Sequence, residues 1–334
     1  MGHIFGPVPS RRLGRSLGID PVPMKTCNWN CVYCQLGRTR RLTAERGVYV
    51  EPEAILSELR GFLARCNGGD GAGDQGDGTQ GARHHGAGDI DWITIVGSGE
   101  PTLNAGLGDL IAEVKALTRL PLAVITNGSF LFDPTVRAEL ANADAVLPTL
   151  DAGTQELYRR INRPHSRFTL RQHLDGLAEF RSEYPGRLWL EVMLVAGLND
   201  GTAALEATAR GVQAIGPDEV HLSLPERPPC ESWVRPADEA ALTRAQAILG
   251  DVARVLHPAL GRFELGGQAS LPEAVEGVVT RHPMRETELL RTISSAAPDQ
   301  ARTLLERLEQ DGRVHIVERY GVRFVCGGSG ERNS

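Results

Sequence analysis

Three cysteines lie close together near the start of the 334-residue chain, at Cys27, Cys31 and Cys34. Their spacing is C-x3-C-x2-C, and they follow the strand-like run Ser16–Ile19 and a Pro-rich turn. This order predicts a loop at the carboxyl end of a strand. A loop this short can wrap three thiolates around one face of an iron–sulfur cubane and leave one iron without a protein ligand. An open coordination position of that kind is where a substrate or cofactor binds.

Two structural interpretations compete with a cluster. Structural zinc takes four ligands, often as two close pairs, but Cys66, Cys230 and Cys326 stand singly and far apart in the sequence. Alternatively, the three close cysteines are unliganded and buried, because a free thiol packs as a small hydrophobe. We interpret Cys230 and His165, which follow Pro- or Arg-rich stretches, as structural or loop residues rather than catalytic ones.

Polar or glycine residues also follow three further strand-like runs. In a parallel α/β sheet the carboxyl ends of the strands meet at one edge, where the chemistry collects. Each of these loops alone is typical of a turn or a helix cap, and their order along the chain is what favours a site. The residues are Gly99 and Glu100 after Trp92–Val96, Asn127 after Leu122–Thr126, and Asp151 after Ala145–Leu150.

Taken together, these motifs resemble the radical S-adenosylmethionine (SAM) superfamily. The resemblance rests on C-x3-C-x-(aromatic)-C, with Tyr33 in the aromatic position, and on Gly99-Glu100-Pro101, which is similar to the Gly-Gly-Glu-Pro loop of that family. It implies that Cys27, Cys31 and Cys34 are the ligands of a [4Fe–4S] cluster. The amine and carboxylate of SAM would chelate the fourth iron.

The same resemblance implies roles for the residues at the strand ends. Tyr33 would lie against the SAM adenine, while Gly99 lets the backbone approach the SAM amino group and Glu100 is the carboxylate partner of that group. Asp151 and Asn127 would face the ribose or the amino-acid part of SAM. The implied reaction is reductive cleavage of SAM to a 5′-deoxyadenosyl radical that abstracts hydrogen from a substrate. The implied electron donor is of the flavodoxin or ferredoxin type.

The segments that must position these residues alternate between strand-like and amphipathic helix-like patterns. The last helix-like segment of this alternating region is Glu239–Leu256, and a further strand-like run follows at Arg262–Leu265. Such alternation predicts a parallel sheet with right-handed crossovers, open or closed into a barrel. The family resemblance implies a partial (β/α)6 TIM-like barrel over residues 1–266. A Gly- and Asp-rich segment at residues 67–89 lacks apolar residues, which predicts a disordered insertion.

Residues 270–328 have a different pattern, three helices followed by a hairpin. Helices are predicted at Pro272–Thr280, Glu286–Ser295 and Gln300–Gln310, and the hairpin turns at Tyr320–Gly321. This order is typical of a winged helix. The candidate recognition helix, Pro298–Asp311, carries two arginines against four acidic residues, which suits phosphate poorly. We expect this small winged-helix-like domain to dock on the barrel or on a partner rather than to read DNA.

The flanks of the cysteine loop are similar to a prokaryotic branch of proteins related to the wyosine-base (tRNA imidazoG37) synthases. The similar runs are Phe5–Gly18, Gln35–Gly37, Ile161–His165 and Arg227–Pro229. Through residue 43 there are seven basic residues against one acidic residue, Asp20, a patch that suits an anionic substrate such as tRNA. The relationship is placed at the level of the branch, since this chain has a single cysteine triplet.

The composition narrows the class of protein. Apolar residues make up 41% of the chain, enough for a sizeable core, and 36 basic against 42 acidic residues give a net charge of −6. That balance does not suit a general nucleic-acid binder. The chain shows neither an apolar run of about 18 residues nor a signal peptide. We therefore expect a cytoplasmic protein with reduced thiols and no membrane contact. The alternative function is a zinc-dependent regulatory protein acting through the winged helix.

Overall fold

The structure is a computed structural model that describes residues 2–67, 90–257 and 270–328. Almost all of the predicted insertion at residues 67–89 lies outside the described residues. The same is true of the strand-like run Arg262–Leu265 and of the predicted domain boundary at residue 266.

Thirteen strands and ten α-helices are present in the described part of the chain. The strands are β1 (Ile4–Ser10), β2 (Gly14–Ile19), β3 (Thr26–Cys27), β4 (Arg41–Leu42), β5 (Trp92–Val96), β6 (Leu122–Thr126), β7 (Ala145–Pro148), β8 (Arg187–Met193), β9 (Glu219–Ser223), β10 (Ala253–Val255), β11 (Met284–Arg285), β12 (Val314–Arg319) and β13 (Val322–Gly327). The helices are α1 (Pro52–Asn67), α2 (Leu107–Leu117), α3 (Pro134–Leu140), α4 (Gln155–Ile161), α5 (Leu170–Glu183), α6 (Thr202–Ile215), α7 (Glu239–Leu249), α8 (Leu271–Arg281), α9 (Glu286–Ala296) and α10 (Ala301–Gln310). Among these helices, none has the length and apolar character that crossing a membrane requires.

Eight strands form one sheet in the order β1-β2-β5-β6-β7-β8-β9-β10. The strands from β2 to β10 are parallel, while β1 pairs antiparallel with β2, with Ile4 opposite Ile19. Parallel neighbours need long crossovers, and helices α1 to α7 supply them. The predicted parallel α/β sheet is therefore confirmed. The strand β1 was missed because Pro7 and Pro9 interrupt its pattern, which an edge strand tolerates.

Local signals in the sequence set several helix starts. Asp133, Thr154, Thr169 and Asp238 each stand just before a helix, and the side chain of each accepts a hydrogen bond from a backbone N–H in the first turn. Such caps satisfy donors that have no partner inside the helix. Strands and helices then share one large apolar core on the outer face of the sheet. This packing holds the carboxyl ends of the strands in place.

The inner face of the sheet borders a cavity of about 360 Å³. Its wall takes residues from the edge strand β1, from the middle of the sheet and from Leu256, which directly follows the other edge strand, β10, as in a partial barrel. In the described part of the chain, β1 and β10 form the two edges. The strand residues on the wall include Phe5 and Val8 of β1, Ser16 of β2, Thr94 and Val96 of β5, Ile125 of β6, Met193 of β8 and Ser223 of β9.

The predicted helix Glu239–Leu256 is wrong at its end. Helix α7 stops at Leu249, where Gly250 adopts a left-handed φ of 77°, a conformation that glycine takes without steric cost. The chain then forms β10, which pairs with β9.

The three helices and the hairpin predicted after residue 270 are confirmed as α8, α9, α10 and β12–β13. The turn lies at Tyr320 and Gly321, both with positive φ, as a tight hairpin requires. Strand β11 joins the hairpin as a third strand. The winged-helix assignment stays a prediction. Val278, Leu289 and Ile293 of this C-terminal unit share a core with Phe5 and Val8 of β1. The unit is therefore packed on the barrel, as expected from its charge.

Candidate functional site

The cysteine loop is folded tightly at one end of the cavity. Cys27 ends β3, which pairs with β4. The backbone N–H of Cys34 donates to the carbonyl oxygen of Cys31 at 3.1 Å, and that of Gly37 donates to Cys34 at 3.0 Å. These turns leave Cys27, Cys31 and Cys34 on the cavity wall, in a segment that follows β2.

The buried ring of Trp29 anchors this loop to the barrel. It lies edge-on to Tyr158 and His173, with ring centroids 5.3 and 5.4 Å apart, and it is only 1% exposed. Edge-to-face packing of this kind adds to the free energy gained from burial. Cys27 and Cys31 pack against the same cluster. The loop conformation therefore depends on helices α4 and α5, which supply Tyr158 and His173.

Polar hydrogens point at two of the sulfurs. The backbone N–H of Trp29 lies 3.4 Å from Cys27 Sγ, and Asn162 Nδ2 lies 3.8 Å from Cys31 Sγ. Hydrogen bonds of this kind stabilise thiolates and tune the potential of a bound cluster. Burial, and after it the nearby carboxylates of Glu100 and Asp151, raises the pKa of the free Cys27 and Cys31 thiols. A metal must therefore displace their protons when it binds.

The donor set fits an iron–sulfur cluster, whose irons are bound by cysteine thiolates. Lys25 Nζ is buried and has no hydrogen-bond partner in the described chain, and an anionic cluster held by thiolates would balance its charge.

Tyr33 and Asp151 form a pair beside the cysteines. Tyr33 Oη donates to Asp151 Oδ2 at 2.5 Å, Asn162 Nδ2 donates to the same oxygen at 2.6 Å, and the Met193 N–H donates to Oδ1 at 2.8 Å. Burial raises the pKa of Asp151 to about 6. Tyr33 is on the cavity wall, and Asp151, 1% exposed, orients it. Direct contact of Asp151 with SAM stays a prediction.

The carboxylate of Glu100 ties the loops after β5 and β6 together. Its Oε1 accepts hydrogen bonds from the Thr102 N–H at 3.0 Å and from Thr126 Oγ1 at 2.5 Å, and its Oε2 accepts from the Asn127 N–H at 2.7 Å. The Glu100 N–H donates to the Thr26 carbonyl at 3.0 Å, which links these loops to the cysteine loop. Contact with the SAM amino group stays a prediction, and the structure gives Glu100 a positioning contact.

Gly99 and Asn127 also meet the cysteine loop. A Cβ on Gly99 would collide with the carbonyl oxygen of Thr26, so only glycine permits this close approach of two backbones. Asn127 Nδ2 donates to Asn28 Oδ1 at 2.6 Å and lies 3.9 Å from Cys27 Sγ. The two loops therefore fix the position of the first cysteine.

Seven of the eight predicted site residues line one cavity, and the eighth, Asp151, touches a member of this group. Asn162 was not predicted as a site residue, and its only sequence signal is its place in the run Ile161–His165 at the end of α4. The sequence analysis also missed the cavity-lining groups Arg281 and His282, which lie in the C-terminal unit. The seven residues are Cys27, Cys31, Tyr33, Cys34, Gly99, Glu100 and Asn127.

Fold and site together define an α/β protein whose partial parallel barrel carries three cysteines on the wall of an internal cavity. The chain belongs to the UPF0026 family. It is 33% identical over 325 residues to the UPF0026 protein of Methanocaldococcus jannaschii, with 96% of this chain and 94% of that relative covered. It is 36% identical over 226 residues to the UPF0026 protein of Synechocystis sp., with 67% and 76% covered.

No family model matches the chain. Among solved structures, it is similar to a radical SAM methyltransferase from Sphaerobacter thermophilus. The TM-score is 0.48 at 17% sequence identity, and 72% of this chain and 66% of that chain are covered.

Proposed function

We propose that this protein is a radical SAM enzyme. The observation that carries the proposal is the convergence of the cysteine triplet and the loops after β5 and β6 on one cavity. A [4Fe–4S] cluster would be held by Cys27, Cys31 and Cys34. When bound, such a cluster supplies one electron to the sulfonium of SAM, which yields methionine and a 5′-deoxyadenosyl radical for hydrogen abstraction.

The residues around the cysteines fix the relative positions of the reactants. Asp151 fixes the Tyr33 ring through its hydroxyl, so the ring presents a rigid face to the adenine. Gly99 lets the loop after β5 lie against the cysteine loop, where its backbone can meet the SAM amino group. Glu100 keeps the neighbouring loops in place through its four protein hydrogen-bond donors. Orientation of this kind contributes to catalysis by removing unproductive arrangements.

The lining of the cavity suits a reactive radical. Its volume of about 360 Å³ lies within the range of about 300–1,000 Å³ that is usual for small-molecule sites. Much of its wall is apolar, with Phe5, Val96, Ile125 and Met193 among the lining residues. Exclusion of water prevents side reactions of such intermediates. We also propose an electron donor of the flavodoxin or ferredoxin type. The relationship to the wyosine-base synthases, at the level of the branch, is likewise part of this proposal.

Anaerobic iron–sulfur reconstitution tests the proposal. We expect electron paramagnetic resonance of the dithionite-reduced protein to give a [4Fe–4S]⁺ signal that changes when SAM is added. Chromatography should then detect 5′-deoxyadenosine. Alanine at Cys27, Cys31 or Cys34 should abolish both signals, while Cys66→Ala is the matched control because Cys66 lies on α1, apart from the cavity-lining residues.

A cluster that does not respond to SAM would contradict the proposal. So would a colourless protein with stoichiometric zinc, which would instead support a zinc-dependent regulator. SAM cleavage by a cluster-free cysteine variant would exclude the assigned ligands.

A further inference from the structure

Four arginines and one histidine line the same cavity as the cysteines. They come from three distant parts of the chain: the turn between β1 and β2, the segment after β9, and the end of α8 together with the residue after it. We call them the arginine wall, and its members are Arg11, Arg12, Arg227, Arg281 and His282.

The arginine wall carries more positive charge than its carboxylate partners neutralise. Arg281 Nε pairs with Asp20 at 2.8 Å, Arg11 pairs with Glu226 at 2.7 Å, and Arg12 pairs with Glu191. Arg227 instead donates to the neutral amide oxygen of Gln35 at 3.0 Å. Within the described chain, no carboxylate lies at ion-pair distance from Arg227, so four guanidinium groups face three carboxylates.

Two nitrogen atoms on this wall are buried without a hydrogen-bond partner. Among the described residues, neither Arg12 Nε nor His282 Nδ1 has a hydrogen-bond partner. Buried polar groups in native proteins are almost always paired, so unpaired ones at a cavity point to a bound ligand. Burial and the neighbouring arginines lower the pKa of Arg12 to about 9 and that of Arg227 to about 10. An anion placed among these groups would relieve the repulsion between them.

We propose that the arginine wall binds the anionic group, a carboxylate or a phosphate, of a small substrate. This inference rests on the proposed function, since the substrate must share the cavity with the cysteine site. A guanidinium group matches both anions because its planar fork donates two parallel hydrogen bonds. The apolar wall formed by Val96, Ile125 and Met193 suits a neutral portion of the same molecule.

The C-terminal unit contributes two residues to the arginine wall. Arg281 and His282 belong to that unit, which shares a core with β1. Gln35 Nε2 also donates to the Arg281 carbonyl oxygen at 2.8 Å. The unit therefore forms part of the cavity wall itself. A small molecule fits the cavity volume of about 360 Å³.

Anion titration of the full chain tests this inference. Inorganic phosphate and acetate are titrated separately by calorimetry, before and after cluster reconstitution. We expect saturable binding that Arg227→Gln weakens about tenfold or more, the usual effect of losing a charge-assisted hydrogen bond. Arg171→Gln is the matched control, because Arg171 is exposed on α5 and pairs only with Asp175 in the described chain.

A second variant, Arg227→Lys, keeps the inference testable if Arg227→Gln does not fold. Arg227→Lys keeps the charge but loses the planar fork, so we expect an affinity between those of the wild type and Arg227→Gln. Phosphate binding alone would identify a phosphorylated substrate, acetate binding alone a carboxylic acid, and binding of both would support the shared anion chemistry.

Three results would overturn the inference. The first is that neither anion binds saturably. The second is that both Arg227 variants bind the anions as the wild type does, and the third is that tRNA binds while the small anions do not. Anion binding needs neither cluster nor SAM. Its presence without SAM cleavage would therefore contradict the proposed function alone, and SAM cleavage without anion binding would contradict this inference alone.

Discussion

At the scale of single residues, the carboxylates around the cysteines position other groups. Asp20, Glu100 and Asp151 are each at most 2% exposed. Burying a carboxylate is costly unless hydrogen bonds compensate it, and each of these three accepts bonds from several donors. The thiols, and whatever they bind, are therefore the groups available for chemistry. The three carboxylates hold in place the loops that carry the thiols.

Asp151→Asn tests this positioning role. The change replaces one acceptor oxygen by an NH2 group that faces donors, so one buried hydrogen bond is lost and two donors oppose each other. We expect a loss of about 1–3 kcal/mol in the free energy of unfolding, measured by urea denaturation, together with weaker SAM binding. Asp175→Asn is the control, since Asp175 forms an exposed ion pair with Arg171 on α5 that contributes little. Equal losses in the two variants would contradict the assigned role.

Cys230 provides a separate test of three-cysteine ligation. This thiol is buried, at 2% exposure, and it lies close enough to Cys34 and Lys25 for their charges to affect its pKa. A fourth ligand would close the open iron. We expect Cys230→Ser to retain about four irons per chain and Cys34→Ser to lose the cluster, both measured by iron analysis after reconstitution. Iron loss in Cys230→Ser would show that the site has four protein ligands.

At the scale of elements, the site depends on contacts between loops that follow different strands. The loop after β2 carries the cysteines, and the loops after β5 and β6 carry Glu100 and Asn127. Backbone groups join them, since Lys25 N donates to Ser98 O at 2.6 Å and Glu100 N donates to Thr26 O at 3.0 Å. A change in one loop is therefore transmitted to the cysteines.

Gly99→Ala tests this coupling. The added methyl group would collide with the Thr26 carbonyl, so the loop after β5 must move away from the cysteine loop. We expect a loss of about 1–3 kcal/mol in the free energy of unfolding, the usual range for overpacking, and a lower iron content after reconstitution. Gly47→Ala is the matched control, because a Cβ there meets no atom within 4 Å. Wild-type iron content in Gly99→Ala would contradict the coupling.

The sequence predicted these elements better than it predicted their contacts. The bounds of β5 and β6 agree with the structure, because an apolar strand-like run is a local signal. The end of α7 was missed because its apolar spacing continues past Gly250. The pairing of Asp20 with Arg281 spans 261 positions, and no local pattern reports such a contact. For that reason the basic patch near the N-terminus was predicted while the arginine wall was not.

At the scale of the whole molecule, the C-terminal unit completes the cavity. The buried ion pair between Arg281 and Asp20, 2.8 Å apart, joins helix α8 to the end of β2. Asp20 also accepts a hydrogen bond from the Ser98 N–H at 2.9 Å, so the same carboxylate supports the loop that precedes Gly99. The unit predicted to dock on the barrel is thereby linked to the cysteine site and to the arginine wall together.

Two buried histidines, His173 and His221, and the partly buried His282 make the stability of the whole protein sensitive to acid. Burial lowers the pKa of His173 to about 4, and it also lowers the pKa of His221 and His282. In the unfolded chain these rings take up protons near pH 6.5. Between pH 6.5 and 4 the unfolded state therefore binds more protons than the folded state, and stability falls as the pH is lowered.

His173→Gln isolates one of these contributions. The ring packs on Trp29 and Tyr158, and its Nε2–H donates to the Thr149 carbonyl at 2.8 Å, so none of these partners stabilises a second proton. We expect His173 to account for about 2 kcal/mol of the stability lost between pH 7 and pH 5.

Asp151 and Glu100, whose pKa values burial raises, act with the opposite sign. Only the difference between wild type and variant therefore reports His173. Urea denaturation at both pH values measures this difference, with the same substitution at the exposed His257 as control. Equal pH dependence in wild type and His173→Gln would show that this ring is protonated as readily in the folded protein as in the unfolded chain.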